Sequence, residues 1–164
     1  METRTTYYLE MKAPAELRSR EESNGLQVRE CQIKQFQFNK YLYQLVGSDW
    51  DWTTKIPWSD DEWVAYSEND NLRTWVGYKK GSPIGYYELR KIEADTEIAS
   101  FGVAPNFIGR GYGGCLLTKA IECAWEWEGT QRVWVHTSTT DHPYALANYQ
   151  ARGMKLYHTK TTTL

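Results

Sequence analysis

The sequence predicts an α+β fold, a mixed sheet of strands flanked by helices, in one domain. Three observations predict it. Short strand-like patterns first meander and then alternate with helical patterns along the chain. A glycine cluster, Gly109-Arg110-Gly111-Tyr112-Gly113-Gly114, joins a strand pattern to a helix pattern. The 164 residues suffice for one hydrophobic core, and neither an internal repeat nor a long linker divides them.

Each element follows from local pattern. Tyr7–Met11 reads as a short strand, and Ala13–Gly25, polar and carrying Pro14, as a loop. Leu26–Cys31 alternates and reads as a strand. Phe38, Tyr41, Leu42 and Leu45 recur at helical spacing, so Gln35–Val46 is an amphipathic helix closed near Gly47. A loop dense in rings runs from Ser48 to Trp58. Ser59, followed by Asp60, Asp61 and Glu62, is an N-cap with acids in the first turn, and it opens a short helix through Trp63 and Tyr66. Leu72–Tyr78 and Pro83–Arg90 are strands joined by the turn Lys80-Gly81-Ser82, and Thr96–Val103 is the next strand. After the glycine cluster, Leu116, Leu117, Ala120, Ile121 and Ala124 mark a helix that reaches about Trp127 and stops at Gly129. Arg132–Thr137 is a strand. His142-Pro143 opens a last helix with Pro143 in its first turn, Gly153 ends it, and Met154–Thr159 is the final strand.

Composition excludes several classes. The hydrophobic and charged fractions, 41% and 24%, are those of an ordinary globular protein, and a net charge of −2 provides no basic field for nucleic acid or anionic lipid. Cys31, Cys115 and Cys123 have neither CxxC nor other metal-ligand spacing, which predicts reduced thiols, no metal site and a cytoplasmic protein. Charges throughout the first twenty residues leave no room for a signal-peptide core, and no apolar run approaches the ~20 residues of a membrane span. The unusual feature is the ring content: Trp 8 and Tyr 12 bring aromatics to 15%.

The glycine cluster carries the first chemical signal. Without Cβ atoms the backbone N–H groups can approach a phosphate, and the helix start adds unpaired donors and partial positive charge. Gly109, Gly111 and Gly114 also fit the dinucleotide pattern G-x-G-x-x-G. A doubly wound nucleotide fold needs further βα units, however, and only 27 residues follow Thr137 in the 164. The Gly-Lys-Ser/Thr of a nucleotide P-loop is absent.

Two stretches point to a family. Glu97 to Gly113, with Val103-Ala104-Pro105 before Gly109-Arg110-Gly111-Tyr112-Gly113, resembles motif A of the GNAT superfamily of acyl-CoA-dependent N-acyltransferases. His142 to Met154 resembles its second motif, N-x-x-A-x-x-x-Y-x-x-x-G-F, with Ala145, Tyr149 and Gly153 in register. Ile108 stands where the family has Arg or Gln, His142 where it has Asn, and Met154 where it has Phe. The resemblance covers roughly residues 70–159 and leaves 1–69 to the first strands, two helices and an acceptor-side loop. It implies a single GNAT-like domain over 1–164, with a mostly antiparallel, splayed central sheet between helices.

The resemblance also implies roles. Acetyl-CoA is the co-substrate, and no metal takes part. The amides of Gly109, Arg110, Gly111, Gly113 and Gly114 hold its pyrophosphate, while the strand around Phe101 and Val103 pairs with the pantetheine arm. The Phe101 amide faces the thioester oxygen. Glu97 stands where several members carry a general base, with pairing to a neighbouring Lys or Arg as the alternative; strand alternation puts 97, 99, 101 and 103 on one face, so Glu97 points with Phe101. His136 is the other base candidate. Tyr149 occupies the general-acid position. His142 caps its helix near the pantetheine, Arg110 meets a phosphate or solvent, and Cys115 packs. Trp50 and Trp52, interleaved with Asp49 and Asp51, are acceptor-side candidates for a cationic amine. Trp58, Trp63, Trp75, Trp125, Trp127 and Trp134 are packing residues. The resulting expectation is N-acetylation of a primary amine, of a small molecule, by direct transfer in a ternary complex. The alternatives are a non-enzymatic acyl-CoA-binding regulatory module and a protein or peptide N-acetyltransferase. Neither nucleic acid nor membrane is a partner, and the family's habit of pairing admits a homodimer.

Overall fold

The computed structural model describes residues 1–164. Strands and helices follow in the order β1 (Thr3–Met11), β2 (Gln27–Glu30), α1 (Phe36–Gly47), α2 (Asp60–Ser67), β3 (Leu72–Lys79), β4 (Ser82–Ile92), β5 (Asp95–Val103), α3 (Tyr112–Glu126), β6 (Arg132–Ser138), α4 (Ala145–Ala151) and β7 (Lys155–Thr163). This is the order that the sequence's periods, caps and turn signals predict. Two starts differ. Helix α3 begins at Tyr112, so Gly113 and Gly114 lie in its first turn. Helix α4 begins only at Ala145, and His142-Pro143-Tyr144 form the turn before it. The outer strands are longer than their apolar residues suggest. Polar β1 and β7 pair from Thr3↔Thr163 to Glu10↔Lys155, so the hydrogen-bonded ladder rather than burial holds their ends, and β7 is exposed throughout.

All strands join one sheet in the order β2-β3-β4-β5-β6-β1-β7. Every neighbouring pair is antiparallel except β5 and β6. That parallel pair is short: Asp95↔Arg132, Thr96↔Val133 and Glu97↔Trp134. From Ile98 onward β5 has no partner on this side, while β6 continues along β1 to Ser138. The sheet therefore opens as a wedge. At the same level the β4–β5 register slips: Glu88 faces Ser100 but Leu89 faces Ile98, leaving Ala99 as a bulge that bends and twists the strand.

The apolar stripe of α3 packs on one face of the sheet with Leu9, Met11, Tyr87, Leu89, Ile98, Val133 and Val135. Helices α1 and α2 cover the other face, where Leu42 and Val46 meet Val76 and Tyr86. A capping box fixes the start of α2: Ser59 Oγ accepts from Glu62 N at 3.2 Å and Glu62 Oε1 accepts from Ser59 N at 3.2 Å. Trp63 is buried as expected, and Trp75 stacks on Tyr87 with centroids 5.3 Å apart. Behind α4, Gly153 has φ 101, and a Cβ there would lie 2.2 Å from the Glu16 carbonyl oxygen. Only glycine lets the Glu16–Arg18 segment cross so closely.

Candidate functional site

Two cavities meet at the wedge. One, of about 420 Å³, lies among the loop between α1 and α2, the middle of β5 and the end of β6. The other, of about 380 Å³, runs between the end of β5, the glycine cluster and α4. Trp52, Phe101 and Asp141 border both.

The second cavity is built around the start of α3. Gly111 is the N-cap residue in the left-handed region, φ 87, where a side chain is strained. A Cβ on Gly109 would meet nothing within 4 Å, so that side of the loop is open. Side-chain amides hold the loop from behind: Asn24 Nδ2 donates to the Arg110 carbonyl at 3.0 Å, and Asn148 Nδ2 to that of Gly113 at 3.2 Å. Gly109, Gly111, Gly113, Gly114 and Val103 all line the cleft. The Arg110 side chain does not; it is exposed and lies over Phe107.

Arg20 and Arg152 complete this end, and nothing in the sequence singled them out. A Cβ on Gly114 would be 2.5 Å from Arg152 Nη1 and 2.6 Å from Arg20 Cδ. Neither guanidinium pairs with a carboxylate, and Arg152 Nε is buried without a partner. Burial, then the charge of Arg20, lowers the Arg152 pKa. Two unpaired guanidinium groups beside open amides at a helix start suit a polyanion. The rest of the cleft, with Val46, Trp50, Phe101 and Ala147, suits an apolar arm. These residues fit the phosphates and pantetheine of acetyl-CoA.

The bulge at Ala99 corrects one expectation. Directly opposed residues share a face, so Tyr87 and Phe101 lie on the α3 side, whereas Glu88 with Ser100, and Arg90 with Glu97, lie on the α1–α2 side. Glu97 and Phe101 thus point to opposite faces, because one extra residue reverses the alternation. Both still border the first cavity, since the wedge opens it through the sheet. Glu97 is 5% exposed. Its Oε1 accepts from Arg90 Nε at 3.1 Å and Nη2 at 2.7 Å, so the pairing weighed as an alternative does form. Its Oε2 faces His136 Nε2 at 3.8 Å.

Tyr149 is 3% exposed and borders the first cavity, its ring edge-on to Phe101 at 6.0 Å. Burial, then the charge of Asp141, raises its pKa, so the phenol keeps its proton at neutral pH. Trp52 stands between the cavities, its Nε1 donating to Asp141 Oδ1 at 3.2 Å. Trp50, expected beside Trp52 on the acceptor side, lines the second cavity with the glycine cluster and not the first. The cause is a stitch in the loop: Asp51 N donates to the Thr140 carbonyl at 3.3 Å, which turns Trp50 edge-on to His142 at 4.9 Å. His142 accepts from Tyr144 N on Nδ1 at 3.0 Å and so caps the turn; burial lowers its pKa against the raising charge of Asp141.

Sequence reasoning also missed Asp141, Lys55 and Glu88. Asp141 accepts from Trp52, from Thr137 Oγ1 at 2.9 Å and from the His142 amide at 2.8 Å, which ties both cavities together. Glu88, 1% exposed, accepts from Asn39 Nδ2 at 2.6 Å and Tyr66 OH at 2.8 Å below the first cavity. The signals were present, a charge inside the apolar run of β4 and a lysine among rings, but neither has a fixed spacing to a motif.

Residues 39–154 match the Acetyltransferase (GNAT) family. The chain belongs to this family. No curated protein matches the sequence. Among solved structures, a GCN5-related N-acetyltransferase from Sphaerobacter thermophilus is similar with TM-score 0.73 and 16% identity, over 96% of this chain and 50% of that one. An aminoglycoside acetyltransferase from an uncultured soil metagenomic sample is similar with TM-score 0.64 and 19% identity, over 79% and 88%. A ribosomal-protein N-acetyltransferase from Escherichia coli is similar with TM-score 0.60 and 14% identity, over 78% and 76%. At these identities the likeness is one of fold. The chain spans 50% to 63% of the length of the first four similar structures. No helix of this GNAT-family chain is long and apolar enough to cross a membrane.

Proposed function

We propose that residues 1–164 form one catalytic unit that moves an acetyl group from acetyl-CoA to a primary amine of a small molecule, directly, within a ternary complex. The observation that carries this reading is the wedge. A strand edge without a partner runs from Ile98 to Val103, with an anion-suited helix start at one end and a ring-walled polar cavity at the other. A concave, ring-walled cavity of about 420 Å³ is of the size that holds a small acceptor.

Acetyl-CoA supplies the acetyl group as a thioester; the chain supplies binding, orientation and proton transfer. In this reading the amides of Gly109, Arg110, Gly111, Gly113 and Gly114 bind pyrophosphate, helped by Arg20 and Arg152. The free edge of β5 at Phe101 and Val103 aligns the pantetheine, and the Phe101 N–H donates to the acyl oxygen as negative charge develops there. Glu97 takes the amine proton on Oε2, the oxygen that Arg90 leaves free. Tyr149, held protonated by burial, donates to the departing sulfur. Trp52 separates the two ligands and serves as the acceptor-side ring.

Calorimetric titration with acetyl-CoA and with NADH tests the reading. Acetyl-CoA binding with no NADH binding is the expected result. Tight NADH binding without acetyl-CoA binding would return the glycine cluster to the dinucleotide class.

A further inference from the structure

The acceptor cavity contains a charge whose surroundings are incomplete. Lys55 Nζ sits 3.8 Å from the centroid of the Tyr66 ring, 5.4 Å from that of Trp58 and 5.5 Å from that of Tyr43. Its backbone is fixed in the same place, since Lys55 N donates to Tyr43 OH at 3.3 Å. The aromatic cage that suits a cationic acceptor is therefore already filled by the protein's own ammonium.

That ammonium is left with free donors. The carboxylate facing it, Glu88 Oε1, is 4.0 Å away and already accepts from Tyr66. The other charged groups on the wall each have a partner inside the protein, although Arg4 Nε is left without one and Glu97 keeps Oε2 free. Arg4 pairs with Asp51, Arg90 with Glu97, and Asp141 accepts from Trp52 and Thr137. Lys55 makes no side-chain hydrogen bond, although its side chain is only 15% exposed. Burial lowers its pKa against the raising charge of Glu88, as expected for an ammonium lacking close partners.

We propose that Lys55 anchors an anionic group of the acceptor, so that the substrate is an amino carboxylate: an amine for acetylation at the wedge, joined to a carboxylate that binds Lys55. This rests on the proposed function and names the substrate class of the same cavity. A carboxylate supplies the acceptors that the ammonium lacks. A purely cationic amine would meet a like charge where the rings should have received it.

Matched pairs provide the test: β-alanine against ethylamine, γ-aminobutyrate against propylamine, and phenylalanine against phenethylamine. Each is assayed for thiol release with acetyl-CoA and for binding by calorimetry. In at least one pair the carboxylate member should be favoured about tenfold or more, the span of one charge-assisted hydrogen bond. Lys55→Met, which keeps bulk without charge, should abolish the preference at unchanged acetyl-CoA affinity, and Lys55→Arg should keep part of it. Should the amines without a carboxylate prove the better acceptors, or the preference survive in Lys55→Met, the inference is overturned. The wild-type comparison stands even where a variant folds poorly. The two readings also separate. A protein that binds carboxylates through Lys55 without acetylating them keeps this inference and loses the proposed reaction. One that acetylates only the plain amines keeps the reaction and loses the inference.

Discussion

Tyr149 tests the chemistry at the scale of one residue. A phenol whose pKa is raised by burial stays protonated at neutral pH and so can present its O–H to the departing sulfur. If it protonates the departing sulfur, Tyr149→Phe should lower turnover by about a hundredfold or more, the usual reach of general acid catalysis. Acetyl-CoA affinity and folding should stay near those of the parent, because the ring keeps its contact with Phe101. Turnover within a factor of about two of wild type would remove it as the acid. Tyr149 could be singled out from sequence because its place in the motif is a matter of register within a helix, where spacing survives. The partners of Glu97 are a different matter. Its facing Arg90 depends on strand pairing, and its orientation relative to Phe101 depends on a one-residue bulge at Ala99. Local alternation carries no sign of such a bulge, so the expected common face was the natural reading of the strand and the structure reverses it.

Elements were more legible than contacts. Most helices and strands carry a period, a cap or a stop signal of their own, which is why their order could be read off. The coil before α4 was not legible, since Pro143 is acceptable both in a first helical turn and in the turn that precedes one. Arg20 was hidden for another reason: it reaches α3 from a polar loop, fixed by its own N–H on Thr118 Oγ1 at 2.9 Å. The testable element is the start of α3. At φ 87 a side chain on residue 111 costs about 1–3 kcal/mol in backbone strain. A Cβ there would also lie 2.6 Å from Asn24 Nδ2, the group that holds the Arg110 carbonyl. Gly111→Leu should therefore weaken acetyl-CoA binding by about ten- to a hundredfold, the loss of one charge-assisted N–H contact. Circular dichroism should show the sheet and α3 intact. Unchanged affinity in calorimetry would move the phosphate site away from this loop.

Across the whole molecule the ring content has a measurable consequence. Rings are spread through both halves: Tyr86 is buried under α1, Tyr87 under α3, Tyr66 beneath the acceptor cavity and Tyr149 at the wedge. In all four, burial is the largest cause raising the phenol pKa above 10.0. A raised pKa in the folded state contributes stability that is complete below the unfolded value and is lost as pH rises beyond it. Burial likewise raises the thiols of Cys31, Cys115 and Cys123 above 9.0, so they act in the same direction from a lower pH. Lys55 has the opposite sign, because its lowered pKa makes stability rise with pH, but that gain is complete by 10.5, the value of a free lysine. Stability should thus hold to about pH 9 and then fall, with each buried phenol removing about 1.4 kcal/mol per pH unit once the unfolded form ionises. Urea unfolding followed by tryptophan fluorescence from about pH 8 to pH 11 reads this directly. Tyr149→Phe should shallow the decline by one group's share, about 1.4 kcal/mol per unit above pH 10. A midpoint that stays level through this range would mean that the phenols reach water in the folded protein. The close packing that buries Tyr149 at the wedge and Tyr86 under α1 does not permit this.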